Sequence, residues 1–188
     1  NNSGLIIAQV SEATDEIYAD RSNVIAARDI QAVAIDLEAN ANLSSIVNSG
    51  SITALVTGRN GEAIGIRDAS GTITLIENTG TIAALGLTSD AQGLQDTNFN
   101  LIALDLSANT TGVTINQLAA VDTDTADDVT PADPAISGSI LLGSGADTLN
   151  VQAGAVVGAL SFGDGADTLT LTGESTYVGA LTDSDGLL

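Results

Sequence analysis

The sequence predicts an all-β fold, a right-handed parallel β-helix (solenoid) built from turns of 20–30 residues, and two internal repeats carry this prediction. Units with the pattern Gly-x-Gly-Ala-Asp-Thr-Leu start at Gly143 and Gly163, 20 residues apart. The related segments IVNSGSI and IENTGTI start at Ile46 and Ile76 and repeat at a longer interval. One such turn cannot bury its own apolar face, whereas stacked turns bury a continuous core.

Short segments rich in β-branched side chains lie between the glycine-containing bends, and such segments are typical of strands. A Gly, Asn, Asp or Ser that favours a turn lies within three positions after each of them. At this repeat length the chain holds roughly seven or eight turns. In chain order the predicted strands are residues 4–10, 31–37, 51–57, 62–66, 72–76, 101–106 and 112–115.

The alternative fold is a pair of antiparallel β-sandwiches, but the hairpin signal Asn-Gly occurs only once, at Asn60. We therefore expect residues 1–188 to form a single β-helix segment. Residues 121–135 are acidic, contain both prolines and lack an apolar pattern, so they are predicted to form a loop between two repeat blocks. The chain opens without signal-peptide features and ends like the start of another repeat, which suggests a processed segment.

Composition excludes several classes of function. The chain has 24 acidic residues, four arginines and no lysine, and its net charge of −20 disfavours nucleic acid and anionic membranes as partners. It has no histidine and no cysteine, which removes Ser-His-Asp triads and thiolate metal sites. No apolar run approaches the ~20 residues that a membrane span needs.

Four segments follow one another along the chain: residues 34–84 (AIDLEANANLSSIVNSGSI and onward), 101–115, 136–151 and 159–181. This ordered series resembles the passenger domains of alphaproteobacterial autotransporters. The resemblance implies secretion across the outer membrane and a β-helical stalk displayed at the bacterial cell surface. Functions in that family range over adhesion, aggregation, proteolysis and esterase activity, so the resemblance implies a location more than an activity.

The Gly-x-Gly-Ala-Asp-Thr-Leu units also resemble the calcium-binding nonapeptide of RTX proteins, G-G-x-G-x-D-x-U-x. The match covers residues 143–150 and 163–170, with Leu142 and Phe162 in place of the first glycine. RTX units follow one another every nine residues, whereas these units are 20 residues apart. The resemblance implies that calcium is the candidate ligand of this region.

Three carboxylates belong to that candidate calcium site: Asp147, Asp164 and Asp167. The 20-residue offset predicts that Asp147 and Asp167 stack on successive turns with Asp164 nearby. Stacked like charges are costly unless a cation or hydrogen bonds neutralise them. The structural alternative is that each aspartate accepts backbone N–H bonds at its own tight turn. A phosphate loop at residues 163–165 is disfavoured, because no lysine and no helix follow and Asp164 adds its own negative charge.

A second acidic cluster lies in the predicted loop, and its spacing imitates a D-x-D-x-D cation loop. It lacks the Gly and Glu that an EF-hand requires at later positions, so a solvated loop is the expectation. Its members are Asp122, Asp124, Asp127 and Asp128.

Sugar-cleaving enzymes need two carboxylates ~5–10 Å apart, usually beside aromatic platforms. Arg59 and Arg67 are the only close basic pair, and we expect them to pair with Glu62 or Asp68 on the surface. The aromatic residues that could form such platforms are few and scattered: Tyr18, Phe99, Phe162 and Tyr177.

Asn48 and Asn78 occupy equivalent positions in the two longer repeats and predict a stacked amide ladder.

These observations predict a non-enzymatic, extracellular structural or adhesive module that needs no cofactor, with calcium as the one candidate ligand. Its expected partners are copies of itself, joined laterally or end to end into fibres, or a glycan or protein on a host or other surface. The alternatives are a polysaccharide-acting enzyme on the same scaffold and a calcium-stabilised, surface-layer-like module.

Overall fold

The structure, a computed structural model, describes residues 1–11, 30–58, 60–88, 98–122 and 130–188, and it contains strands and turns but no helix in that part of the chain. The strands are β1 (Leu5–Ser11), β2 (Gln31–Leu37), β3 (Ser45–Asn48), β4 (Ser51–Gly58), β5 (Asn60–Asp68), β6 (Leu75–Asn78), β7 (Thr81–Thr88), β8 (Asn98–Asp105), β9 (Thr114–Gln117), β10 (Ala135–Ser137), β11 (Ser139–Leu141), β12 (Thr148–Val151), β13 (Ala155–Val157), β14 (Leu160–Phe162), β15 (Thr168–Leu171), β16 (Thr176–Val178) and β17 (Leu181–Asp183).

The strands form three parallel sheets that the chain visits in rotation. Sheet 1 has the order β1-β4-β7-β10-β13-β16, sheet 2 the order β2-β5-β8-β11-β14-β17, and sheet 3 the order β3-β6-β9-β12-β15. Every third strand therefore lies beside its predecessor, so that one coil contributes one strand to each sheet. This arrangement confirms the predicted parallel β-helix, while its right-handed sense stays a prediction.

The coils differ in length more than the sequence predicts. Six coils stack in the described part of the chain, rather than seven or eight, and two of them are longer than the predicted range. The extra residues come between β1 and β2, between β7 and β8 and between β9 and β10 in the chain, and an insertion between strands costs little. Equivalent positions on successive strands of sheet 1 are Leu5, Ser51, Thr81, Ala135, Ala155 and Thr176, and the intervals between them are widely unequal.

The core consists of aliphatic side chains that stack on their own kind from coil to coil. In sheet 1, Ile52 lies beside Ile82, which lies beside Ile136 and then Val156. All four are fully buried, and strict alternation along β4 places every second residue inside. Burial of one such side chain contributes about 1.5–3 kcal/mol, so repeated layers stabilise a core that is poor in aromatic residues.

One predicted strand begins later than expected. The sequence predicts an extended segment at residues 72–76, but β6 begins at Leu75, and residues 71–74 follow a turn at residues 69–70 without joining a strand. The Asp68 carboxylate causes this, because it accepts hydrogen bonds from the N–H groups of Ser70, Gly71 and Ile73 at 3.0, 3.0 and 2.9 Å.

Among the residues that the structure describes, no helix has the length and apolarity needed to cross a bilayer.

Candidate functional site

Buried polar side chains of the described residues gather at two corners of the coil. One group lies between sheets 3 and 1, which we call the amide corner, and it contains Asn48, Asn78 and Gln117. The other lies between sheets 2 and 3, which we call the acidic corner, and it contains Asp68, Asn109, Asp147 and Asp167.

The amide corner is a ladder of side chains that runs through successive coils. Asn2 donates to Asn48 Oδ1 at 2.9 Å, Asn48 donates to Asn78 Oδ1 at 2.8 Å, and Asn78 donates to Gln117 Oε1 at 3.3 Å. Gln117 then donates to the Ala153 carbonyl of the next coil at 3.0 Å. The predicted Asn48–Asn78 ladder is confirmed, and it extends by one residue at each end.

Each asparagine of the ladder also bonds to the glycine two residues on and so fixes the turn beside it. Asn78 Nδ2 donates to the Gly80 carbonyl at 3.0 Å, and the Gly80 N–H donates back to Asn78 Oδ1 at 3.3 Å. Gly80 lies directly over Gly50, so that a Cβ added there would be 2.1 Å from the Gly50 carbonyl oxygen. The Asn-x-Gly pattern of the two repeats is therefore explained by ladder and close stacking together. The segment TINQ (residues 114–117) pairs with LIEN (residues 75–78), so Gln117 occupies the position of Asn78, and this likeness is the sequence signal that could have indicated its place in the ladder.

The acidic corner stacks Asp147 and Asp167 on neighbouring coils, as predicted. Asp167 Oδ1 accepts the Asp147 N–H at 2.8 Å, and Asp147 Oδ1 accepts the Val113 N–H at 2.7 Å. The expected bond to a turn amide is present, and at Oδ1 of each aspartate it joins two neighbouring coils. The offset of one coil explains this, because strand pairing places Asp147 beside Val113 and Asp167 beside Asp147.

The second oxygen of each aspartate has no such partner. Asp147 Oδ2 and Asp167 Oδ2 are buried without a hydrogen bond. Burial raises the pKa of the Asp147 carboxyl and the charge of Asp167 adds to the rise, whereas the N–H groups of Val113 and Gly143 oppose it. An unpaired buried carboxylate oxygen is costly, so a proton or a cation at this position would stabilise the fold.

Asp164, the third predicted ligand, lies elsewhere. It is exposed, and its carboxylate accepts a hydrogen bond from the Ser184 hydroxyl of the next coil. Calcium takes 6–8 oxygen ligands. Within the described ranges, no group of three or more acidic side chains is placed to hold a metal ion.

We expect Asp147→Asn to stabilise the chelator-treated protein by about 1–2 kcal/mol near neutral pH, because it removes a buried ionised group and keeps the Oδ1 acceptor. The folded-state pKa of Asp147 is raised, so its protonated form favours folding at low pH and this contribution is lost as pH rises through the folded pKa. The gain from the substitution should therefore shrink as pH falls toward 3.8, the ordinary value.

Thermal melts of wild type and variant across this pH range measure the difference. Asp164→Asn is the matched control, because that carboxylate is exposed, and its effect should be small at every pH. A constant or negative difference for Asp147→Asn would contradict the prediction.

The arginine prediction was wrong for Arg67. Its guanidinium donates to Asp36 on the neighbouring coil, with Nε 2.8 Å from Oδ1, and lowers the pKa of that carboxyl. Glu62 instead accepts from Gln31 and Asn100, its partners on either side in sheet 2. The pairing follows the strand register, which places Arg67 between Asp36 and Asp105. Arg59 lies outside the described residues.

A shallow depression of about 560 Å³ lies on sheet 2 around Glu62. Among the described residues Glu62 is the one carboxylate in its lining, and the other described residues there are amides, Gly61 and Ile30, so these residues alone do not form the carboxylate pair of a glycosidase. None of the described aromatic side chains lines it.

Each described aromatic side chain packs in an apolar cluster or bonds to the backbone. Phe162 is buried in the main core, and Phe99 packs against a second, smaller apolar cluster around Ala54 and Val56. The Tyr177 hydroxyl donates to the Ala180 carbonyl at 2.7 Å. Tyr18 lies outside the described residues.

Most of the acidic run in the predicted loop also lies outside the described residues, including Asp124, Asp127 and Asp128. Asp122 is described and exposed, and β10 begins at Ala135, where the predicted loop ends.

Comparison with protein-family models, with curated proteins and with solved structures finds no match for this chain. The resemblances to autotransporter passenger domains and RTX repeats therefore stay predictions.

Proposed function

We propose that the chain is a non-catalytic structural and adhesive module, a stiff β-helical rod displayed outside a bacterial cell that meets other surfaces through its side faces. One observation supports this most directly: six of the seven buried polar side chains of the described residues bond to a neighbouring coil. Bonds of that kind oppose sliding and separation of the coils, which is the property that a rod requires.

The net charge of −20 fits the same role. It keeps a long rod soluble, and its self-repulsion is screened within about 8–10 Å in a saline medium. The partners proposed for the side faces are a further copy of the chain and a glycan or protein surface.

Surface display tests this proposal. The whole chain is fused to an unrelated outer-membrane anchor in a non-adherent bacterium, and attached cells are counted under flow on bare, glycan-coated and protein-coated surfaces. We expect more attachment than with the anchor alone. Equal attachment on every surface would overturn the adhesive role. Release of oligosaccharides from acidic polysaccharides by the purified chain would favour the enzyme alternative instead.

A calcium-stabilised module is the second proposal, and the unpaired Oδ2 atoms of Asp147 and Asp167 favour it. Thermal melts with excess calcium and with a chelator test it. A melting temperature raised by calcium in wild type but not in Asp167→Asn supports calcium binding at this corner. An unchanged melting temperature rejects it.

A further inference from the structure

The outer face of sheet 1 differs from the rest of the molecule in charge. Its six strands contain no Asp, Glu, Lys or Arg, although the chain has 24 acidic residues. We call the outward side chains of these strands the uncharged face. The long strands β1, β4 and β7 each contribute four outward side chains, and the short strands β10, β13 and β16 each contribute two.

The uncharged face is also apolar. Half of the exposed large hydrophobic side chains of the described residues lie on it. They are Leu5 (68% exposed), Ile7 (52%), Leu85 (41%), Leu87 (54%), Val157 (46%) and Val178 (61%). Strand register joins them into rows: Ile7 is in line with Val157 and Val178 through Thr53, Ala83 and Ser137, and Leu55 lies beside Leu85.

The other two sheets carry carboxylates on their strands. Asp36, Glu62 and Asp105 belong to sheet 2, and Glu77 belongs to sheet 3. Two copies that met through these sheets would bring like charges together, which is unfavourable. As far as the described strands go, the uncharged face is where a second copy with the same net charge of −20 approaches without strand carboxylates opposing one another.

A second copy also matches this face in shape and size. Parallel rods present rows of side chains at the same spacing of about 4.8 Å, and two sheets pack with their inner rows interdigitated about 10 Å apart. The number of outward side chains is close to the lower end of the roughly 20–30 residues per partner in a standard interface. An interface of that size is expected to be reversible.

We propose that two copies of this chain associate laterally through their uncharged faces, around a two-fold axis that places the same patch on both sides. The proposal rests on the structural role proposed above and names its partner. The association buries aliphatic side chains and strengthens with salt, because salt screens the repulsion between the two acidic rods while apolar contact persists.

Sedimentation velocity of the purified whole chain, from micromolar to millimolar concentration and at low and high ionic strength, tests the proposal. We expect a shift from the 18.7 kDa monomer to a dimer as concentration and salt rise. Leu85→Glu should weaken the dimer at least about tenfold, because it places a carboxylate in the middle of each face. Leu85 is 41% exposed, so the variant should keep the wild-type circular dichroism spectrum.

Thr168→Glu is the matched control, since it adds the same charge at an exposed position on sheet 3. It should leave the dimer constant near the wild-type value. A wild-type chain that stays monomeric at millimolar concentration in high salt would overturn the proposal, as would equal weakening by the two variants. Cells that adhere while the purified chain stays monomeric would refute this inference alone and leave the adhesive role standing.

Discussion

Replacing Asn78 by alanine is expected to lower the free energy of unfolding by about 3 kcal/mol or more. Asn78 is fully buried in the middle of the amide ladder and makes bonds in three directions. It accepts from Asn48 and from the Gly80 N–H, and it donates to Gln117 Oε1 and to the Gly80 carbonyl. Truncation leaves several buried groups without partners, and each unsatisfied group costs about 1–3 kcal/mol.

Chemical denaturation at equilibrium measures this loss, and Asn116→Ala is the matched control. Asn116 lies in the adjacent strand of the same sheet but faces outward, half-buried, and its amide oxygen accepts one bond, from Asn150 at 3.0 Å. We expect this control to cost less than about 1 kcal/mol. Similar losses for the two variants would show that the ladder contributes no more than a surface amide pair.

The ladder of Asn48 and Asn78 also shows which parts of the fold could be predicted from the sequence. The repeat IVNSGSI and IENTGTI places Asn48 and Asn78 at one position, and identical polar residues at a fixed interval are a direct signal of stacking. The two Gly-x-Gly-Ala-Asp-Thr-Leu units indicated the stacking of Asp147 and Asp167 in the same way. Local repetition therefore predicted the parallel stacking of strands and two residues of each polar corner.

The number of coils could not be predicted in this way. The second and third coils begin at Ser51 and Thr81, which the longer repeat marks, but the fourth coil begins only at Ala135, well beyond the next position that this repeat predicts. A connection between strands can lengthen without disturbing the register, so its length carries no periodic signal. The sequence therefore predicted more coils than the described residues form.

The partners of individual charged side chains could not be predicted from the sequence either. Arg67 was expected to pair with near neighbours in sequence, but Asp36 lies 31 residues away on the preceding coil. The Gly-Asp-Gly segment likewise did not show that Asp164 faces outward to Ser184 while Asp167 faces inward. Such contacts depend on which side of the strand each residue faces once the register is set.

Replacing Gly143 by alanine is the second substitution with a large expected effect, a loss of about 3 kcal/mol or more. A Cβ at this position would lie 1.8 Å from the Asn109 carbonyl oxygen of the preceding coil. Because this oxygen belongs to the backbone, it cannot avoid the clash by a change of rotamer. The same relation continues upward, because a Cβ at Gly163 would lie 1.5 Å from the Gly143 carbonyl oxygen. The first glycine of each repeat is thus required by the contact between coils, whether or not a cation binds.

The damage should be confined to one half of the rod. Each coil contacts only its neighbours, so a clash between the third and fourth coils should open the coils that follow Gly143 and spare those before it. Amide hydrogen exchange measures this: protection should fall in β12 to β17 and persist in β4 to β6. Gly4→Ala is the control, since the nearest atom to its added Cβ would be Asn2 Oδ1 at 4.0 Å. A uniform loss of protection along the chain would mean that the rod unfolds as one cooperative unit, which would contradict coil-by-coil stability.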